Sequence, residues 1–415
     1  MMQRLDGWVI MVLLTFNLTA SAQLSDRRLG SSTIWVLSQN MDSVTVCVAY
    51  SIPFRNLIFV QDTSKRFVAT LSFSVDAVDS VTGENFHRFG INRVVADSYQ
   101  ESRNAKSSAE DCVVFQIPKS TFSFNIEVRD DLQKITYMNI VLRKHFQKNQ
   151  FPILLQPIFL ASKTDSTLNP IVEESTAEFP FTIKVLIISP VGISQKPTAS
   201  IFKDGKEVSP VSRIDLISLS LQPTIQNSQI KFSFKYKTDN ALLLEFQTDT
   251  LIEGKYEIHI KYSGREETYP FHYVWLNKPG SLHNFHFALQ LLKYITDDST
   301  YSYITSGNDR SVKEKFEQFW KQHDPTPRTA YNEAEAEFYR RADYAVYAFR
   351  TATAINGAMT DRGKIYILYG KPDNVERDLR NNGSYEIWSY SRLKRKMIFK
   401  EVRPGEFKLY QTEKL

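Results

Sequence analysis

In Ile230-Lys231-Phe232-Ser233-Phe234-Lys235-Tyr236 apolar and polar side chains alternate without a break. A period of two fits a strand with one buried face and rejects a helix, whose faces repeat every 3.6 residues. Runs of the same kind recur at Thr33–Leu37, Val44–Tyr50, Phe67–Val78, Val113–Pro118, Phe122–Val128 and Tyr137–Leu142, punctuated by Asp79-Ser80, Thr82-Gly83 and Asp130-Asp131. Short strands at this spacing predict an antiparallel, sandwich-like module over residues 23–165. The stretch Ala161–Glu178, rich in Ser, Thr, Asp and Asn, reads as a linker or a long edge loop. A second sandwich-like module is expected over 179–277, where Lys203-Asp204-Gly205-Lys206 marks a hairpin because Asp-Gly supplies the positive φ of a tight turn.

At Pro279 the period changes. Leu282, Phe285, Leu289, Leu292 and Ile295 fall at three- and four-residue steps and predict one helix. Ser311-Val312-Lys313-Glu314 has the form of a capping box opening a helix to about His323, and Asp324-Pro325-Thr326-Pro327 stops it. A further helix is expected over Asn332–Phe349. After Gly363 the period returns to two, so Ile365–Tyr369, Tyr385–Tyr390, Met397–Val402 and Phe407–Tyr410 predict an antiparallel meander. The fold class is therefore multidomain: two all-β antiparallel sandwich-like modules, then an α+β domain over 279–415 with helices before sheet.

Residues 1–22 read as a signal peptide: Arg4 precedes an apolar run from Trp8 to Leu18, Ala20-Ser21-Ala22 suits a signal peptidase, and cleavage would leave Gln23 first. The run is shorter than the roughly 20 residues that cross a bilayer, and no later run approaches that length. Export is the expectation, to the periplasm, the outer membrane or beyond. The net charge of +5 is spread among interleaved acids and bases, which does not point to nucleic acid. Arg392, Lys394, Arg395 and Lys396 form the one dense basic cluster and read as a solvated hairpin. The only cysteines, Cys47 and Cys112, lie in strand-like runs; an exported chain permits their pairing across a sandwich, and free buried thiols are equally ordinary.

The stretch Gly357-Ala358-Met359-Thr360-Asp361-Arg362-Gly363-Lys364-Ile365-Tyr366-Ile367-Leu368-Tyr369-Gly370-Lys371-Pro372-Asp373 resembles the defining segment of GWxTD-domain proteins. Phe319-Trp320, Asp324-Pro325-Thr326-Pro327, Asn332-Glu333, Glu337-Phe338-Tyr339-Arg340-Arg341 and Tyr385-Glu386-Ile387-Trp388-Ser389-Tyr390 follow the order of that family, so the resemblance covers about Pro279–Tyr390. The motif residues are Gly357, Thr360, Asp361, Arg362 and Gly363, while the tryptophan of the family name is Ala358 here. A ring serving as a ligand platform would be lost, whereas a ring that only packed would leave a loop repacked around Met359. The resemblance implies an exported cell-envelope protein of gram-negative-type bacteria and brings no activity with it.

Physically, Glu337, Arg340, Arg341, Thr360, Asp361, Arg362, Asp373 and Glu386 form the candidate polar cluster. One use is structural: a buried network joining Glu337, Arg340, Asp361 and Glu386 would lock helix to sheet. The other is a cleft in which Asp361 and Glu386 work as carboxylates and Arg362 holds an anion, the layout of an envelope hydrolase. No phosphate loop, His-Glu-x-x-His, Cys-x-x-Cys or Gly-x-Ser-x-Gly occurs, so no catalytic residue, cofactor or metal is assigned. Tyr339, Tyr344, Tyr366 and Tyr369 could stack on a sugar or line a peptide groove, but their expected positions fit core and rim packing better. The expected role is non-enzymatic interaction or scaffolding, with another envelope protein or a surface polymer as partner.

Overall fold

The computed structural model describes residues 29–415 apart from 105–106, 149–151, 153, 194, 237–239 and 381–382. The signal-peptide segment lies outside the described residues. Phe67–Asp79 shows why the first module is a sheet: Ala69, Leu71, Phe73, Val75 and Ala77 are buried and alternate with polar neighbours. This strand pairs antiparallel with Asn85–Ala96 on one side and Thr121–Asp130 on the other, and Ile135–His145 extends the sheet. Facing it is a three-stranded sheet of Ser31–Gln39, Ser43–Pro53 and Ser108–Pro118. The rings of Tyr50 and Phe73 meet between the two sheets at 4.7 Å.

The central strand Ser43–Pro53 is buried on both faces. Val44, Val46, Val48 and Tyr50 point into the first core, while Cys47 and Ala49 join Trp35, Leu37, Leu160, Leu168, Phe232 and Phe234 in a second one. The two β modules thus share a core, with Trp35 against Phe232 at 5.9 Å. The cysteines are free thiols on neighbouring strands of one sheet, not across a sandwich: Cys47 faces Val114 and Cys112 faces Ala49. Burial, then its hydrogen bond with Cys112, pushes the Cys47 thiol up.

An eleven-stranded sheet forms the second module and curls around its own core of Ile183, Val185, Ile201, Leu242, Leu244, Ile258 and Phe271. The stretch expected as a linker is part of it. Ile158–Lys163, Thr167–Pro170 and Thr176–Glu178 are strands, and Phe159, Leu160, Leu168 and Ala177 are buried. The polar composition that suggested a linker belongs to tight turns; Thr164 Oγ1, for example, accepts from the amides of Ser166 and Thr167. The boundary expected near residue 165 therefore falls inside a hairpin. The Asp204-Gly205 turn has positive φ at both residues, 50° and 74°, as the sequence required.

Helices follow. The single helix expected over Leu282–Ile295 is broken into Gly280–His283, Phe285–Leu291 and a 3₁₀ turn at Leu292–Tyr294, because Asn284 turns its side chain to accept from Phe287 N at 3.1 Å and starts a new helix. Asp298–Thr305 is the next helix, and Asp309–Gln322 after it is capped by Asn308 through Ser311 N at 2.9 Å, ahead of the expected box. Glu333–Ala348 follows with Asn332 as its cap. Asp361–Tyr369 is a helix, not the strand expected from Ile365 onward. Ile365 packs toward the sheet and Ile367 toward the helices. Two residues apart on a helix is about 200°, so a helix wedged between two layers imitates the alternation of a strand. The chain ends in an antiparallel meander of Asn374–Arg380, Gly383–Tyr390, Arg395–Arg403 and Glu406–Lys414. Among the described residues no helix is long and apolar enough to cross a membrane.

Candidate functional site

The motif segment sits where the Glu333–Ala348 helix, the Asp361–Tyr369 helix and the meander converge. Thr360 caps the second helix: its Oγ1 accepts from Gly363 N at 3.1 Å and donates to Gly357 O at 2.7 Å. Both motif glycines stand at backbone-to-backbone contacts. A Cβ at Gly363 would lie 2.0 Å from Gly357 O, and one at Gly357 would lie 2.3 Å from Ala345 O and 2.5 Å from Arg350 N. Only hydrogen fits there.

From the first turn of this helix, Arg362 reaches across to the sheet. Its Nη1 lies 3.5 Å from Glu386 Oε2, its Nη2 donates to Gly405 O at 3.1 Å, and its guanidinium carbon stands 4.4 Å from the Phe407 ring centre. Glu386 is 5% exposed. Its Oε1 accepts from Trp388 Nε1 at 2.8 Å, and Arg377 Nε approaches Oε2 at 3.7 Å. This is a buried, hydrogen-bonded ion pair beneath an aromatic cover. Among the described residues Arg362 Nε is buried without a hydrogen-bond partner. Asp361 makes a separate tie, its Oδ2 accepting from Leu409 N at 2.8 Å. Burial, then the nearby Asp361 charge, raises the Tyr294 hydroxyl above its usual range.

Glu337, Arg340 and Arg341 form a second cluster on the long helix. Arg341 Nε meets Glu337 Oε1 at 2.8 Å, Arg340 Nη1 lies 3.6 Å from Oε2, and Arg341 Nη1 donates to Leu368 O at 3.3 Å. The single network expected to join Glu337, Arg340, Asp361 and Glu386 is thus split in three: Arg362, not Arg340, answers Glu386, Asp361 ties to Leu409 N, and Arg341 carries the helix-to-helix tie. Asp373 lies in a turn, where the Ser391 amide, donating at 2.6 Å, holds its carboxyl below the usual range. Of the two carboxylates of the hydrolase layout, Glu386 is covered and Asp361 Oδ2 is engaged by a backbone amide.

Of the aromatic zone, Tyr339 is wholly buried and donates to Ala288 O at 3.0 Å. Tyr344 and Tyr347 are each 54% exposed, and Tyr344 stacks on Tyr366 at 4.5 Å. Arg340, Tyr344 and Tyr347 stand at four- and three-residue steps and make one outward stripe. Sequence reasoning missed two buried carboxyls, Glu110 and Glu335, each pushed up to about 7 primarily by burial. Neither carries a motif, and charged residues in strand or helix patterns read as solvent-facing. Among the described residues no cluster of three or more His, Cys, Asp or Glu side chains is placed to hold a metal.

Thr360-Asp361 thus stands at a helix cap with both glycines in backbone contact, and residues 264–409 match the GWxTD domain family. The chain carries a GWxTD domain. Its match starts earlier than the expected Pro279 and takes in Arg265–Val274, the strand beside Gly254–Tyr262 in the eleven-stranded sheet. An aromatic seam explains why that strand travels with the domain: Tyr331 packs on Trp275 at 5.3 Å and on Phe179 at 5.9 Å, and Ala330 N donates to Asp249 O at 2.7 Å. No curated protein matches this chain. Among solved structures, the C-terminal domain of the Streptococcus agalactiae AgI/II polypeptide BspA is 9% identical, with 58% of this chain and 99% of that one covered at a TM-score of 0.15. A structure titled BspA_C_WT gives the same identity and coverage at 0.14. Likeness of that degree carries no inference.

Proposed function

We propose that this GWxTD-domain chain is an exported cell-envelope protein that acts by binding, its C-terminal domain engaging another envelope protein or a surface polymer while the β modules serve as a stiff spacer. The observation that carries this reading is the outward stripe of Arg340, Tyr344 and Tyr347 on a helix whose inner face is fixed by Tyr339 and Ala342. Exposed tyrosines beside arginine are the side chains that recur at recognition surfaces. The shared core of the two β modules supports the spacer role, because a joint filled with Trp35, Phe232 and Leu168 resists bending. The test is a photo-crosslinking residue at Tyr347, with the same residue at the exposed Phe89 as control, in the native envelope. A discrete adduct at 347 absent from 89 is expected. Identical labelling at both positions would overturn the assignment of this stripe.

A further inference from the structure

The basic run at 392–396, read in the sequence as a solvated hairpin, is larger in space than in sequence. Ser391–Lys394 form the turn between the second and third strands of the meander, closed by Leu393 N to Tyr390 O at 3.2 Å and Lys394 N to Ser391 O at 3.1 Å. The loop after the motif helix is fastened to the same end, because Tyr390 OH donates to Gly370 O at 3.0 Å and Ser391 N donates to Asp373 Oδ2. This brings Lys371 beside the turn. Lys414 lies across from Arg395 in the ladder, and Leu415 N donates to Lys394 O at 3.0 Å. Lys371, Arg392, Lys394, Arg395, Lys396 and Lys414 thus gather at one tip, all but Lys396 exposed. The acids of the tip are Asp373, committed to the Ser391 amide, and Glu413, opposite Lys396.

Several surface cations elsewhere are answered by acids, as in Arg310 with Glu314, Arg341 with Glu337 and Lys278 with Glu253. None of the six tip cations makes an ion pair among the described residues. Apolar side chains stand among them in the open: Leu393 is 38% exposed, Leu415 56%, and Tyr369, edge-on to Tyr390, 42%. A convex turn with unanswered cations around leucine and tyrosine matches a planar layer of anionic headgroups, where long basic side chains reach phosphates and apolar groups enter the interface.

We propose that this tip docks the GWxTD domain on an anionic lipid surface, the cations meeting phosphate-bearing headgroups and Leu393 entering the interface. Near such a surface each Lys or Arg contributes about 1 kcal/mol, which is about a fivefold change in partitioning.

The test is co-sedimentation of the purified chain with phosphatidylcholine vesicles and with vesicles that also contain phosphatidylglycerol. Binding to the anionic vesicles alone, weakening as salt is raised, is expected. Alanine at Arg392, Lys394 or Arg395 should weaken it about fivefold each, and Leu393→Asn should weaken it with the salt dependence retained. These exposed changes leave the melting temperature in place, so loss of binding is separable from loss of fold. Equal binding to both vesicles, no binding, or a triple alanine variant that sediments like the parent would overturn the proposal. So would retention on heparin without sedimentation, which assigns the tip to a soluble polyanion instead.

Discussion

Replacing Glu110 by glutamine should make the protein more stable at alkaline pH than its parent while leaving stability in acid almost unchanged. Glu110 lies at the junction of the two β modules. Its Oε2 accepts from Ile230 N at 3.0 Å, its Oε1 from the Ser51 hydroxyl at 3.2 Å, and its own amide donates to Ser228 O at 2.8 Å. Its carbonyl accepts from Asn92 Nδ2 at 3.1 Å, a group that also donates to Tyr50 OH. The neighbouring acid, Asp111, is likewise raised by burial. With no cation beside it among the described residues to offset desolvation, the carboxyl rises from 4.5 to about 7. The folded chain therefore keeps a proton that the unfolded chain has lost, and stability falls as pH rises from about 4.5 to about 7, then levels off. A shift of that size corresponds to about 3 kcal/mol at full ionisation. Glutamine reproduces the protonated form, accepting from Ile230 N and donating to Ser51. Urea unfolding followed by tryptophan fluorescence at about pH 8 should place the variant up to about 3 kcal/mol above its parent, and at about pH 4 the two should coincide. Equal destabilisation at both pH values would refute the reasoning, because it would make the ionised carboxylate a stabilising partner at this joint.

Two further substitutions address the motif. Glu386→Ala leaves the Arg362 guanidinium buried with its carboxylate gone, and the cost should be about 3–5 kcal/mol in chemical denaturation; a loss below about 1 kcal/mol would mean the pair is open to water. Gly363→Ala drives a methyl into Gly357 O, so the melting temperature should fall by more than that of an alanine variant at the exposed Lys364, and an equal effect at both positions would sink the close-contact account.

Much of the architecture was legible because alternation is a local signal. Phe67–Val78 and Ile230–Tyr236 read as strands and are strands, and Asp204-Gly205 makes the turn its residues demand. What failed had a local pattern overruled by its surroundings. Ile365 and Ile367 alternate because two different layers cover one helix, and nothing within the segment reveals the second layer. Ala161–Glu178 looks polar because turn residues outnumber the few apolar side chains, Leu168, Ile171, Val172 and Ala177, that fix it to the sheet. For the polar cluster, residue types were readable and partners were not. Glu386 was bound to meet an arginine once buried, but the choice of Arg362 over Arg340 depends on which helix face the sheet abuts.

The departure at position 358 can be judged on the same footing. Ala358 is fully buried, its carbonyl accepts from Tyr294 OH at 3.0 Å, and its amide donates to Asn356 Oδ1 at 3.1 Å. It packs among Leu291, Leu292, Ala345 and Ile367, with Tyr294 and Phe349 alongside, while Met359 is turned partly to solvent. The loop has therefore closed over the small side chain, and the Tyr294 ring is at hand where a larger residue would compete for room. An indole at 358 would have to displace that shell, a change that overpacks a filled site. A ligand platform needs an open face, and position 358 has none. In this chain the motif works as a joint: two glycines let backbones touch, Thr360 starts a helix, Asp361 ties it to the last strand, and Arg362 pins it to the sheet.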